Sequence, residues 1–159
     1  MMSRQDIIDI VRMGCKREDT GFNDDQQLEY IKKGLKGDLD ENILEKLLPD
    51  ATPNVKKYGF LKYFLYYHNL KKGKIEMCIA YPGDIIGKKD SKYVVKRIDG
   101  KEFETDSEAY PGIKVLDERE LKIGSHVITH QDKIRLILDE KRNQEARSIF
   151  NSYLRDSKK

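Results

Sequence analysis

Tryptophan is missing from these 159 residues, and proline (4), cysteine (2) and histidine (3) are sparse. Each scarcity closes off a class of function. Two cysteines, Cys15 and Cys78, cannot build a disulfide scaffold, and no Cys-x-x-Cys pair is present to hold zinc or run thiol exchange. Each lies in an apolar periodic segment, where a thiol packs as a small hydrophobe. The N-terminal Met1-Met2-Ser3-Arg4-Gln5-Asp6 has no apolar signal core. The longest apolar stretch is interrupted by Lys62 and falls short of the roughly 20 residues that cross a bilayer. A cytoplasmic protein without a membrane partner is therefore expected.

An excess of one charge is missing too. Charged residues make up 37% of the chain, yet 31 basic residues face 28 acidic ones and the net charge is only +3. Residues 1–72 carry 13 basic and 12 acidic side chains, and the remainder 18 and 16. A dedicated polybasic binder concentrates its charge far more. The phosphate-loop and dinucleotide glycine patterns, the His-Glu-x-x-His zinc motif and the Gly-x-Ser-x-Gly elbow are all absent. Asp38-Leu39-Asp40-Glu41-Asn42 opens like a calcium loop, but the turn-glycine position holds Ile43 and the bidentate position Pro49. No cofactor and no metal are expected.

What is present is a change of rhythm near residue 72. With 38% hydrophobic residues, nine Tyr and five Phe, the chain can bury a core. Residues 1–72 read as a helical subdomain. Ser3 followed by Asp6 resembles a capping box, and Ile7, Ile10, Val11 and Gly14 repeat at helical spacing, with Cys15 widening the stripe. Asn23 should cap a second helix with Leu28, Ile31 and Leu35 inward. Asp38 should cap a third, carrying Leu39, Ile43, Leu44, Leu47 and Leu48 and ended by Pro49. Thr52-Pro53 should start a fourth that runs to about Leu70. This last segment places Phe60, Leu61, Phe64, Leu65 and His68 on one face, and is expected to be the buried core helix.

Residues 73–139 read as a small antiparallel β module. Lys74–Tyr81 alternates like a strand and should turn at Tyr81-Pro82-Gly83. Tyr93–Ile98 and Lys101–Thr105 should pair through Asp99-Gly100, the best hairpin signal in the chain. Tyr110-Pro111-Gly112 marks another turn, and Gly124–Thr129 with Lys133–Leu138 another hairpin, with Ile134, Leu136 and Leu138 inward. A faint repeat relates the segments around Gly83 and Gly124 at an offset of 41, which suggests two similar hairpins paired with each other. The fold class expected is α+β: about four helices on an SH3-like or OB-like barrel or curled sheet, closed by a helix over residues 140–156 with Ala146, Phe150 and Tyr153 inward.

Three residue groups could carry function. Lys88, Lys89, Lys92, Lys96 and Arg97 form the one dense basic cluster, suited to contacting nucleic acid or an acidic protein. Glu102, Glu104, Asp106 and Glu108 alternate along one strand and its exit. A row of that kind is more often a solvated edge than a cation site, and Lys92, Lys96, Arg97 and Lys101 could neutralise it across the strands. His126 and His130, four apart in a strand context, read as solvent-facing. His68, near the junction of helices and sheet, could with Glu102 or Glu104 serve a hydrolase-like pocket. The preferred reading is a non-enzymatic binding module using the basic hairpin. The alternatives are that enzyme and a structural homo-oligomer built through the aromatic helix.

Overall fold

A computed structural model describes residues 2–14, 20–73 and 75–158. Cys15 and Lys74 lie outside the described residues. The chain divides into two compact units, residues 1–63 and 64–159.

The first unit is helical: α1 (Arg4–Met13), α2 (Asp24–Leu35), α3 (Glu41–Leu47), α4 (Ala51–Tyr58) and the short α5 (Phe60–Lys62). The Ser3 hydroxyl accepts from the Asp6 backbone N–H at 3.1 Å, and Gly14 ends α1 in the left-handed region at φ 68°. Asn23 and Gln26 form a full reciprocal capping box on α2. That helix turns Gln27, Ile31 and Gly34 inward and leaves Leu28 exposed, which corrects the expected Leu28–Ile31–Leu35 stripe. The reason is Gly34. A β-carbon there would sit 2.5 Å from Val11 Cγ2, so α1 and α2 approach too closely for any side chain.

Two more boundaries shift. Asp40, not Asp38, caps α3, its carboxylate accepting from the Asn42 N–H at 2.8 Å while Leu39 is buried before the cap. The expected long fourth helix is interrupted by Gly59, whose φ of 85° and ψ of 157° cannot continue a helix. It also starts earlier, at Ala51, so Pro53 sits in its first turn, where a missing donor is harmless.

A π-helical turn (Tyr63–Tyr67) starts at the last residue of the first unit and leads into α6 (His68–Lys72) of the second. Phe64, Leu65, His68 and Asn69 are buried, so the face expected for this segment is the buried one. A 3₁₀ turn (Glu76–Cys78) follows where the Lys74–Tyr81 strand was expected. Ile75 and Met77 are more than half exposed there and only Ile79 is inward, so alternation alone misled. The strand begins at Tyr81 instead.

The sheet has the order β3-β2-β1-β6-β7, all antiparallel, with β1 (Tyr81–Lys89), β2 (Lys92–Arg97), β3 (Glu102–Thr105), β6 (His126–His130) and β7 (Lys133–Leu138). Tyr81-Pro82-Gly83 is strand interior rather than a turn. Pro82 is tolerated because β2 ends at Arg97; its carbonyl still accepts from the Ile98 N–H at 2.8 Å. Gly83 is required by contact, since a β-carbon there would lie 2.9 Å from the Lys96 carbonyl oxygen.

The sheet is not closed into a barrel. Its edges meet at one corner, where Ile134 N–H donates to the Asp106 carbonyl at 2.9 Å and the Thr105 hydroxyl donates to the Asp132 carbonyl. A two-stranded ribbon, β4 (Glu108–Tyr110) and β5 (Ile113–Lys114), turns at Pro111-Gly112 with Gly112 at φ 74°. α7 (Glu140–Ser157), capped by Asp139, buries Asn143, Ala146, Phe150 and Tyr153.

The 41-residue offset has a structural counterpart. Residues 89, 92 and 97, which bound β1 and β2 at the hairpin, map onto 130, 133 and 138, the corresponding bounds of β6 and β7. Each hairpin has a two-residue turn and one bulge, but the bulges fall on opposite members: in β1 between Ile85 and Gly87, and opposite Ile128–Thr129 in β7. Register is therefore not shared beyond the tips. Among the described residues, no helix is long and apolar enough to cross a membrane.

The Gly34 contact is testable by denaturant unfolding. Gly34→Ala gains up to ~1 kcal/mol of helix propensity but overpacks against Val11, which costs ~1–3 kcal/mol, so a net loss is expected. In the Val11→Ala/Gly34→Ala double variant the two losses should be less than additive, because the second methyl fills the space left by the first.

Candidate functional site

The β1–β2 hairpin displays the basic cluster, but it does not present all five residues alike. Alternation and register put Lys89, Lys92 and Lys96 on one face, with Lys89 directly opposite Lys92. Lys88 pairs with Tyr93, and its ammonium lies 5.6 Å from that ring's centroid. These four lysines are exposed. Arg97 is on the other face and only 4% exposed. Its guanidinium stacks 3.7 Å over the Tyr81 ring, pairs with Asp99, and reaches Glu76 at 3.3 Å. It fastens the end of β2 to the segment before β1.

The acidic row disperses. Glu102 lies opposite Lys96, and Glu104 pairs with Lys89 at 3.2 Å, so cross-strand neutralisation does occur and Lys89 takes part in it beside the expected lysines. Asp106 turns to Lys133 at 2.9 Å, and Glu108 accepts from the Gly112 N–H at 3.0 Å. The row does not converge, and no group of three or more potential metal ligands occurs among the described residues.

The histidines are where the structure departs furthest from expectation. Neither His126 nor His130 is simply solvent-facing. The pairing of β1 with β6 sets Asp84 opposite His126. The Asp84 carboxylate meets His126 Nδ1 at 2.6 Å and Arg147 of α7 at 2.7 Å, while His126 Nε2 faces Glu140 at 3.1 Å. Arg147 in turn donates to Asn143 at 3.0 Å. Asp84, and then Glu140, hold the His126 pKa above its ordinary 6.5. Both ring nitrogens have carboxylate partners, so the group acts as a cationic clasp between sheet and helix, not as a base with a free nitrogen. The 41-residue repeat points to paired hairpins but not to the register that sets Asp84 opposite His126.

His130 is 1% exposed and meets His68, itself 2% exposed, edge to face with ring centroids 5.3 Å apart. Phe64 flanks His68 at 5.4 Å. Next to it, buried Asn69 holds the backbone of Ala80 from both sides, accepting from its N–H at 2.8 Å and donating to its carbonyl at 2.9 Å. Burial pushes the His68 pKa down to about 4, so the imidazole is neutral near pH 7. Glu102 and Glu104, the partners suggested for His68, instead lie on the exposed β3 edge. An open groove of about 600 Å³ lies beside α6, lined by Leu70, Lys71, Lys72, Ile75, Tyr153 and Asp156 rather than by His68.

The chain matches no family model, no curated protein and no solved structure.

His126 supplies a signed pH dependence. A pKa raised by folding contributes stability that is fully present below 6.5 and is lost as pH rises through the higher folded value. Asp84→Asn should bring the His126 titration, read by proton NMR, down towards 6.5. It should also flatten the loss of α7 protection as pH rises above about 6.5, an effect on the order of 1 kcal/mol or less for a part-exposed pair.

Proposed function

We propose that this protein is a non-enzymatic binding module whose β1–β2 hairpin contacts nucleic acid through Lys88, Lys89, Lys92 and Lys96. The observation that carries this reading is the tip of the hairpin. Lys89 and Lys92 stand directly opposite each other, and Lys88 lies on the other face at the same tip. Like charges in that position destabilise a hairpin by a few tenths of a kcal/mol; Glu104 relieves this in part at Lys89, and a bound phosphate would relieve it at both. Tyr93, the aromatic within the cluster, is 3% exposed, so the surface offers charge without a stacking platform. Contacts of that kind track the backbone and do not read bases. Arg97, itself buried, supports the hairpin through ion pairs with the exposed carboxylates of Asp99 and Glu76. A cytoplasmic location accompanies this reading.

Binding of fluorescent single- and double-stranded DNA and RNA tests it. Three or so phosphate contacts on a duplex should weaken binding roughly 40-fold between 50 and 200 mM salt. Lys88→Glu/Lys89→Glu/Lys92→Glu should lower affinity at least tenfold and flatten that salt slope. Binding that ignores salt, or survives the triple change, removes the reading.

A homo-oligomer is favoured by a separate observation. Tyr67 and Leu70 of the aromatic segment are 36% and 40% exposed. Leu70→Glu should then convert any oligomer seen by sedimentation into monomer, whereas a wild-type chain that is already monomeric at high concentration ends this reading. The hydrolase-like alternative needs an accessible His68, and that ring is 2% exposed.

A further inference from the structure

The groove beside α6 is bounded by the segment at Ile75 and by the C-terminal end of α7, all within the second unit. Its volume of about 600 Å³ lies in the range of small-molecule sites. Leu70 and Ile75 form its apolar part and are 40% and 57% exposed, so both have surface left to cover. Two lysines, Lys71 and Lys72, stand there with a single carboxylate, Asp156. That carboxylate accepts from the Tyr66 hydroxyl, and the Ser157 hydroxyl donates to the Leu154 carbonyl at 3.0 Å.

Two other polar groups of the groove have no protein partner among the described residues. Tyr153 is 7% exposed and packs its ring on Phe150 with centroids 5.3 Å apart, yet its hydroxyl makes no hydrogen bond. That hydroxyl is not sealed in either, so it opens to the groove that the residue lines. Burial holds the phenol pKa above its ordinary 10, which keeps the group a donor at neutral pH. Lys72 is half-buried, and its ammonium has neither an ion pair nor a hydrogen bond. A donor and a cation so placed gain most from an anionic acceptor that brings apolar surface with it and expels water.

We propose that this groove binds an aliphatic carboxylate of medium chain length. One carboxylate oxygen accepts from the Tyr153 hydroxyl, the other faces the Lys72 ammonium, and the chain lies along Leu70 and Ile75. Each part of the site rejects a different relative of this ligand. An ammonium headgroup is repelled by Lys72, an alcohol forgoes the ion pair, and a short carboxylate leaves the apolar wall uncovered. The site is separate from the basic hairpin and does not rest on the reading given to it.

The test is titration of the full chain with decanoate, hexanoate and decyltrimethylammonium below their micelle concentrations, followed by backbone NMR shifts. Decanoate should move the amides of Leu70, Lys72, Ile75 and Tyr153. It should bind roughly tenfold or more tightly than hexanoate, since each half-covered methylene adds about twofold. Decyltrimethylammonium should bind roughly tenfold or more weakly than decanoate. Tyr153→Phe should weaken decanoate binding roughly tenfold without lowering the denaturant midpoint, because the hydroxyl holds nothing in the fold. Lys72→Glu should weaken it by roughly the same factor or more. Absence of shifts, shifts confined to the β1–β2 hairpin, equal binding of the two decyl ligands, or wild-type affinity in Tyr153→Phe each overturn the proposal. So does a dimer that Leu70→Glu dissociates and that decanoate does not bind, since the groove then belongs to a second copy of the chain.

Discussion

The ladder between β1 and β6 joins two hairpins, neither of which is expected to be stable in water alone. It is only four residue pairs long, from Tyr81 opposite Thr129 to Asp84 opposite His126. Its two ends are reinforced by quite different means. At the Tyr81 end, Asn69 grips the backbone of Ala80 from within the core. At the Asp84 end, a carboxylate, an imidazole and an arginine from α7 meet half in solvent. One fastening is dry and made of neutral hydrogen bonds; the other is wet and depends on charge.

Much of this architecture was legible because it is local. Asn23 with Gln26, Asp99-Gly100, Pro111-Gly112 and the alternation of β2 and β7 each act over a few residues, and each appears where its chemistry places it. The misreadings share a cause as well. Tyr81-Pro82-Gly83 looks like a turn to any local rule, and becomes strand because β6 supplies a partner from more than forty residues away. Ile75 and Met77 alternate like a strand but have no partner strand, so the chain takes a 3₁₀ turn there. The Leu28 stripe failed because helix α2 rolls to bring Gly34 against Val11, a contact set by closeness and not by hydrophobicity.

The candidate site was legible in proportion to how much of it lies within one hairpin. Lys88, Lys89 and Lys92 are found together because the turn between them is only two residues long. Arg97, five residues beyond Lys92, falls on the opposite face by the parity of the strand, which the alternation of Tyr93 and Val95 already implied. The His126–Asp84 and His68–His130 meetings required strand order and helix placement, and no spacing in the chain encodes either. His130 also carries the lesson that a histidine in an alternating segment takes its character from whatever covers that face.

The π-helical turn at Tyr63–Tyr67 gives the length of this segment a meaning of its own. A turn of that type holds one more residue than an α-helical turn, and so behaves as a single-residue insertion lodged in a helix. Taking one residue out would leave a more regular and more comfortable helix. Keeping that residue and tightening the turn to α-helical geometry would instead rotate His68 and Asn69 by up to about 100° about the axis relative to the start of the turn. The imidazole would swing away from His130, and the amide away from Ala80. The wide turn thus acts as a phase adjuster, taking up one residue locally so that His68 and Asn69 keep their facing.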